Sequence, residues 1–158
     1  LATIAQPNDF LGVNDYTRNF SSCGNPWDVA STGNTVTDMG WEVYPQGLTE
    51  LLFRLHNDYQ PKRLWVTENG AAFKDQLVNG EVDDTQRLAY IRDHIAATHD
   101  AIAQGVPVGA YFAWSLMDNF EWASGYAKRF GLVHVDFETQ KRIFKNSALW
   151  YQNFLSGK

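Results

Sequence analysis

Three short apolar segments alternate along the chain with two amphipathic segments, and this order limits the possible folds more than any other feature. The apolar segments are residues 9–14, 64–67 and 108–114, and the amphipathic ones begin near Pro45 and near Asp83 or Asp84. Strand-length and helix-length segments in alternation favour parallel strands joined by right-handed helical crossovers. We therefore expect an α/β fold with the three strands in one sheet.

The amphipathic segments carry helix signals at their ends. Pro45 suits the first turn of a helix, which should end near Tyr59 because Pro61 cannot continue it. The second helix should end at Gly105. Its predicted buried face consists of four apolar residues, Leu88, Ile91, Ile95 and Ile102.

Turn residues predict two small hairpins outside this sheet. Val78-Asn79-Gly80-Glu81 contains the Asn-Gly pair typical of a type I′ turn. Residues 132–136 alternate like a strand and residues 142–144 return, which predicts a second hairpin. Ser147 is expected to cap the last helix. Residues 17–44 show no periodicity, and loops of that length inside compact domains are commonly functional.

Polar side chains follow each of the three expected strands. They occur at Asn14 to Tyr16, at Glu68 and Asn69, and after Trp114. The carboxyl ends of parallel strands lie on one rim, where ligands bind in both barrels and open α/β sheets. Glu68 is therefore a candidate catalytic carboxylate, although a Glu before Asn-Gly is commonly a solvated turn residue.

Composition excludes several other functions. The chain has 158 residues and a net charge of −5, which argues against nucleic-acid and anionic-membrane partners. Ser115 lacks the glycines of a nucleophile elbow, and no glycine-rich phosphate loop follows a strand. His94 and His99 do not share a helical face, so we expect neither a metal nor a cofactor. A single cysteine, Cys23, and the lack of a secretory-signal pattern favour a reducing, cytoplasmic compartment.

The remaining chemistry is that of carboxylates among aromatic rings, which make up 15% of the residues. Glu68 and Glu121 are both expected at the rim, close to Trp114 and Trp122. Two carboxylates suit glycoside hydrolysis, in which one attacks the anomeric carbon and the other protonates the leaving oxygen. On spacing alone, Glu68 and Glu121 would take these two roles. A further alternative is a different barrel enzyme that uses the same two residues as an acid/base pair. The alternative for Glu121 is an exposed loop position.

Several segments resemble family 1 glycoside hydrolases, the β-glucosidase family. Thr67-Glu68-Asn69-Gly70 is similar to the nucleophile motif of that family. Residues 114–122 (WSLMDNFEW) resemble a second motif, with Met117 where the family has Leu. Further segments resemble the family in the same order, and the resemblance covers about residues 9–155; these segments are residues 9–14, 37–45, 129–132 and 139–142.

The resemblance implies a role for each rim residue. Glu68 would be the nucleophile, Tyr16 would hydrogen-bond its carboxylate, and Asn14 would lie in the same subsite. Four residues would surround the sugar, as floor, hydroxyl ligands and closing wall: Trp114, Glu121, Trp122 and Phe130. Glu121 is then a binding residue, because an ionised carboxylate can accept hydrogen bonds from two sugar hydroxyls.

The sequence departs from the family pattern at two points. Asp15 stands where the family commonly has Tyr, and a carboxylate facing Glu68 there would raise one of the two pKa values. The Asn-Glu-Pro motif that carries the family's proton donor is absent, as are the sugar ligands of earlier strands. The resemblance therefore implies strands six to eight of a (β/α)8 barrel, which needs about 250 residues when complete.

We accordingly expect residues 1–158 to be the C-terminal segment of a single barrel domain that is incomplete on its own. The expected partners are the N-terminal part of the barrel, or another copy of the chain, and a β-glucoside or related sugar. The alternative is a catalytically incomplete fragment that binds carbohydrate or associates with itself through its open strand edges.

Overall fold

The computed structural model describes residues 6–19, 21–22, 25–26 and 32–157, so Cys23, and the expectation based on it, lies outside the described residues. The strands are β1 (Leu11–Asn14), β2 (Ser21–Ser22), β3 (Asn25–Pro26), β4 (Leu64–Asn69), β5 (Leu77–Val78), β6 (Glu81–Val82), β7 (Val108–Ala113), β8 (Val133–Val135) and β9 (Arg142–Phe144). The helices are α1 (Pro45–Tyr59), α2 (Thr85–Ala103) and α3 (Asn146–Leu155).

The three predicted strands form one parallel sheet in the order β1-β4-β7. Leu64 lies opposite Leu11 on one side and opposite Val108 on the other, so all three strands start at the same level. Buried side chains of the sheet pack with Leu48 and Leu52 of α1 in one core cluster. The polar segments that follow the strands consequently meet at one edge, as the sequence predicted.

The buried face of α2 differs from the prediction. Ile91 is buried, but Ile102 is 46% exposed, and the helix instead buries Arg87, Tyr90 and His94. These polar groups can be buried because they are paired: Arg87 binds two carboxylates, for example. Apolar periodicity therefore did not identify this face.

The predicted cap of the last helix is wrong. Lys145 is the N-cap residue of α3, and Ser147 instead donates its backbone N–H and its hydroxyl to the carboxylate of Asp84. Asp84 does stand at the N-cap of α2, but its carboxylate also binds Arg87 rather than the helix N–H groups. Asp84 thus joins the beginnings of α2 and α3.

Both predicted hairpins are present. Strands β5 and β6 pair antiparallel around Asn79 and Gly80, whose φ angles of 53° and 85° fit a type I′ turn. Strands β8 and β9 pair antiparallel in the second hairpin. Helix α1 also has the predicted bounds. Among the described residues, no helix is both long and apolar enough to cross a bilayer.

Candidate active site

The centre of the strand-end rim is a hydrogen bond between Tyr16 and Glu68. The Tyr16 hydroxyl donates to Glu68 Oε2 over 2.6 Å. Burial, followed by the hydrogen bond to Glu68, raises the pKa of the Tyr16 phenol, so the phenol stays protonated and remains a donor. The structure therefore contains the hydrogen bond between Tyr16 and Glu68 that the family resemblance implied.

Asn14 lies beside this pair, and its side chain has a defined orientation. Thr67 donates its hydroxyl to Asn14 Oδ1 over 2.6 Å, which leaves the amide N–H groups of Asn14 available to a ligand. Gly12 provides the space for Thr67, because a Cβ at Gly12 would lie 3.1 Å from the Thr67 side chain.

A buried polar network lies behind the Tyr16–Glu68 pair. Asn69 donates to the backbone oxygen of Asp15 (2.8 Å) and to the Tyr90 hydroxyl (3.2 Å), and it accepts from the Tyr111 hydroxyl (2.6 Å). Tyr90 donates in turn to the backbone oxygen of Tyr16 over 2.8 Å. Sequence reasoning missed Tyr90 and Tyr111, because their partners lie far away along the chain.

Asp15 is a partly buried carboxylate on the side of this network. Burial raises the pKa of Asp15 to about 6. Burial is also the main cause of the raised pKa values of Tyr90 and Tyr111, and the charge of Asp15 adds to both. Repulsion from Glu68 is not a cause of the Asp15 shift. The like-charge coupling considered for a carboxylate at this position is therefore not the source of its raised pKa.

Trp114 and Glu121 belong to the same site as Glu68. Burial raises the pKa of Glu121, the nearby Trp114 side chain opposes this rise, and the charge of Glu68 adds to it. Trp122 is different: it lies in a short 3-10 turn (Trp122–Ser124) and is 83% exposed. The described residues thus gather Trp114 and Glu121 near the nucleophile candidate, whereas Trp122 points to solvent.

Phe130 forms a buried wall beside Tyr16. It is 2% exposed, and its ring meets Tyr16 edge-on with the ring centroids 6.0 Å apart. Trp41 packs on both rings, with centroid distances of 5.6 Å to Tyr16 and 6.2 Å to Phe130. Trp41 was not among the predicted site residues, although it lies in the long aromatic-bearing loop of residues 17–44.

This loop is held in place by the neighbouring Glu42. Arg18 donates to Glu42 Oε2 over 2.7 Å, and Asn34 donates to Glu42 Oε1 over 2.6 Å. The Arg18 hydrogen bond lowers the pKa of the buried Glu42 to about 2, so this carboxylate stays ionised. The described part of the loop therefore presents Trp41 from a fixed backbone.

The segment between Trp114 and Phe130 is supported by six buried or partly buried charges, here called the ionic cluster. Its members are Asp75, Asp84, Asp118, Arg87, Arg129 and Lys145. Asp118 is its centre: it accepts from Arg129 (2.6 Å), from Lys145 (2.8 Å) and from the Gly131 N–H (2.9 Å). Three carboxylates face three cations, so the cluster is neutral as a whole.

Two members of this cluster and the neighbouring His134 form a donor set suited to a metal. Ligand atoms of Asp75, Asp118 and His134 all lie within 4.8 Å of one another. The Lys145 ammonium, however, binds both of these carboxylates. The position of a cation is therefore already occupied by a side chain, and we assign no metal to the group.

Comparisons with known proteins give consistent matches. The family model described as glycosyl hydrolase family 1 matches residues 1–158. β-Glucosidase A of Acetivibrio thermocellus is 44% identical over 98% of this chain and 36% of its own length. A 6-phospho-β-galactosidase of Streptococcus equi subsp. zooepidemicus is 42% identical over 96% of this chain and 37% of its own length.

Solved structures of the same family share the fold. The family 1 β-glucosidase of Thermotoga maritima superimposes with a TM-score of 0.90 at 41% identity, over 98% of this chain and 36% of its own. The enzyme of Exiguobacterium antarcticum B7 gives 0.92 at 42% identity, over 99% and 36%. These neighbours are (β/α)8 barrels, which confirms the predicted fold class. The chain spans a little over a third of the length of the relatives it matches.

Proposed function

This chain belongs to glycosyl hydrolase family 1, and we propose that it supplies the nucleophile and part of the sugar site of a retaining β-glycosidase. The observation that carries the proposal is the short hydrogen bond from Tyr16 to Glu68 at the strand-end rim. Glu68 attacks the anomeric carbon to form a covalent glycosyl-enzyme, which water then hydrolyses. The acid/base comes from the barrel segment that the relatives have beyond the matched third.

Tyr16 and Glu121 support the proposed displacement in different ways. Tyr16 binds Oε2 of Glu68, and no hydrogen bond from a described residue reaches the other carboxylate oxygen, which is proposed to attack. When Glu68 becomes an ester it loses its negative charge, which removes the repulsion between Glu68 and Glu121. The change in Glu68 thus favours the ionised form of Glu121, which only accepts hydrogen bonds, while the covalent intermediate exists.

The sugar itself is proposed to lie against Trp114, whose indole offers a flat apolar face to a pyranose ring. Asn14 presents its amide N–H groups on the nucleophile side, and Phe130 closes the pocket through its contact with Tyr16. Trp122 is proposed to reach the sugar from the exposed turn that follows Glu121.

The charges of the site favour a neutral sugar over a phosphorylated one. Glu68 and Glu121 are close enough for their charges to interact, and a phosphate group would be repelled by both. The ammonium of Lys128, on the segment between Glu121 and Phe130, is already paired with Asp38 at 3.1 Å. Between these two relatives, the β-glucosidase is therefore the better guide to the substrate of this chain than the 6-phospho-β-galactosidase.

The nucleophile can be tested in a hybrid barrel, in which this chain is joined to the unmatched N-terminal part of the Thermotoga maritima β-glucosidase. An activated 2-deoxy-2-fluoro-β-glucoside should label the hybrid barrel once, and peptide mass spectrometry should locate the label on Glu68. Glu68→Ala should abolish labelling, whereas Glu138→Ala, at an exposed position, should leave its rate unchanged. Undiminished labelling of the Glu68→Ala variant would overturn the proposal.

The preference for a neutral sugar is tested with two aryl substrates. The hybrid barrel should have a kcat/KM for the aryl β-glucoside at least about tenfold above that for its 6-phosphate, which corresponds to about 1.4 kcal/mol. Glu121→Gln should narrow this ratio, because it removes one of the two negative charges. A preference for the phosphorylated substrate would contradict the proposed substrate class.

The open edges of the sheet favour a second candidate function, a catalytically incomplete fragment that associates with itself. Among the described strands, β1 and β7 each have only one partner in the sheet. Phe112, Leu116 and Phe144 are at least half exposed nearby. The isolated 158-residue chain separates the two candidates: a sugar-independent oligomer by light scattering, with no release from an aryl glucoside, would favour the second.

A further inference from the structure

The hydrogen bond between Tyr16 and Glu68 requires two strand ends to keep a fixed relative position. Tyr16 follows β1, and Glu68 lies near the end of β4 at a shift in strand register. The Asp15 N–H donates to the backbone oxygen of Glu68 over 3.0 Å, which gives one backbone link between them. A single such link leaves the direction of the Tyr16 side chain free to vary, so further contacts must fix it.

Asn69 provides part of this support, because it links the ends of all three strands. Its amide nitrogen binds the backbone oxygen of Asp15 beyond β1, and its amide oxygen accepts from Tyr111 of β7. Its own backbone oxygen accepts from the Trp114 N–H over 2.8 Å. Asn69 is fully buried, so none of these bonds exchanges with water.

Tyr90 supplies the second contact from helix α2. Its hydroxyl donates to the backbone oxygen of Tyr16 and accepts from Asn69. The carbonyl groups of two successive residues, Asp15 and Tyr16, are therefore both held. Together these bonds fix the backbone from which the Tyr16 phenol extends toward Glu68.

The bonding pattern also determines which side chain can occupy position 69. An amide both donates and accepts, and the bonds of Asn69 use both capacities. A carboxylate of the same shape can only accept when ionised, so it would face the Asp15 carbonyl without a hydrogen to offer. The network therefore specifies an amide at this position and a hydroxyl at position 90.

We propose that Asn69 and Tyr90 are positioning residues of the reaction, which act through Tyr16 to hold its phenol against the Glu68 carboxylate. This inference rests on the proposed function. Catalytic groups must be held within about 0.5 Å of the productive geometry, and supporting hydrogen bonds provide that restraint. Neither residue touches the sugar in this proposal.

The test is a double-mutant cycle in the hybrid barrel. Tyr90→Phe removes the hydroxyl but keeps the ring, which stacks on His94 with the centroids 3.9 Å apart. It should lower kcat by about tenfold and change KM by less than about threefold, because the sugar contacts remain. In a Tyr16→Phe background the same change should lower kcat by less than about twofold, since the group it positions is gone.

Tyr151→Phe is the matched control. Tyr151 is half-buried and packs against the same core cluster as Tyr90, but it lies on α3 and makes none of the network's hydrogen bonds among the described residues. It should leave kcat unchanged. Equal effects of Tyr90→Phe in the two Tyr16 backgrounds would overturn the inference, because they would show that Tyr90 acts independently of Tyr16.

A second variant keeps the test decisive if Tyr90→Phe lowers the yield of folded protein. Tyr111→Phe removes the donor to Asn69 Oδ1, and its effect on kcat should likewise disappear in the Tyr16→Phe background. Labelling of Glu68 in the wild type together with unchanged kcat in both variants would reject the inference alone. Absence of labelling at Glu68 in the wild type would reject the proposed function as well.

Discussion

The two sides of the candidate site are supported in opposite ways. On the nucleophile side, Tyr16 and Glu68 are held by neutral groups, namely the Asn69 amide and the Tyr90 hydroxyl. On the other side, the segment that leads from Trp114 to Phe130 is held by the ionic cluster centred on Asp118. Both supports are buried, so the difference lies in charge rather than in access to water.

This difference matters for the proposed role of Glu68 as the nucleophile. A cation hydrogen-bonded to Glu68 would stabilise its charged form and weaken its attack. A neutral phenol orients the carboxylate with a much smaller effect of this kind. The cations of the ionic cluster are instead paired with three carboxylates of their own, so they support the second side without adding net charge near the first.

Breaking the ionic cluster should give the largest effect. Lys145→Met leaves Asp75 and Asp118 with one cation fewer in a buried site, which should lower the free energy of unfolding by about 3–5 kcal/mol. Urea denaturation of the hybrid barrel measures this. Arg54→Met, which breaks an exposed pair with Asp58, should cost less than about 0.5 kcal/mol. Equal costs would show that the cluster contributes no more than a surface pair.

A side chain at Gly70 should break the junction between the two sides. A Cβ at this position would lie 1.7 Å from the backbone oxygen of Trp114, so one of the two segments must move. Gly70→Ala should therefore lower the free energy of unfolding by about 1–3 kcal/mol and reduce kcat, because Trp114 and Glu68 shift relative to each other. Denaturation and aryl-glucoside kinetics check this, and unchanged kcat would contradict it.

Neutralising Asp15 should sharpen the comparison between the two sides of the site. It removes an unfavourable negative charge from the side of Tyr16 and Glu68, whose supporting groups are neutral. The pKa of Asp15 is raised from 3.8 to about 6, so the folded protein binds this proton more tightly than the unfolded chain does. The stability gained from the bound proton is present below pH 3.8 and is lost as the pH rises through 6. Asp15→Asn should raise the free energy of unfolding by about 1–2 kcal/mol at pH 8 and leave it unchanged near pH 3.5.

The control for Asp15 is Asp58→Asn, at an exposed position, which should show no such dependence on pH. Denaturation curves of both variants at the two pH values provide the measurement. A gain in stability of Asp15→Asn that is equal at pH 3.5 and pH 8 would mean that charge is not its cause.

The smallest effect is expected at His134, which borders the ionic cluster. Burial first, and then the charge of Arg129, lower the pKa of this imidazole, so it stays neutral in the fold. Stability is lost as the pH falls below 6.5, because only the unfolded chain then takes up the proton readily. His134→Gln should make the decrease in the free energy of unfolding between pH 7.5 and pH 5 smaller, by less than about 1 kcal/mol. His99→Gln, at an exposed position, should leave this decrease unchanged. Melting temperatures of both variants at pH 7.5 and pH 5 provide the measurement.

Local signals in the sequence were enough to predict the sheet, both hairpins and the bounds of α1. Pro45 and Pro61 delimit the helix because of their own backbone restrictions, and the Asn79-Gly80 turn requires no distant partner. The position of Glu68 at the rim also followed from strand order alone.

Buried polar residues could not be predicted in this way. Tyr90 is buried because it binds the backbone of Tyr16, which is 74 residues away, and nothing near Tyr90 in the sequence indicates this contact. Arg87 likewise reaches the backbone oxygen of Arg129, 42 residues away. Ile102 fits the apolar period of α2 but is exposed, so periodicity alone overestimates the core at that end of the helix.

The hairpin at Asn79 and Gly80 has a practical consequence for building this protein in other forms. Its tip is exposed, and its left-handed backbone is formed by the two residues themselves. New chain termini or an inserted reporter peptide should be tolerated there, because exposed tips carry few contacts that must be kept. A circular permutant opened between these residues would begin at Gly80, shortly before Asp84 of the ionic cluster in the chain.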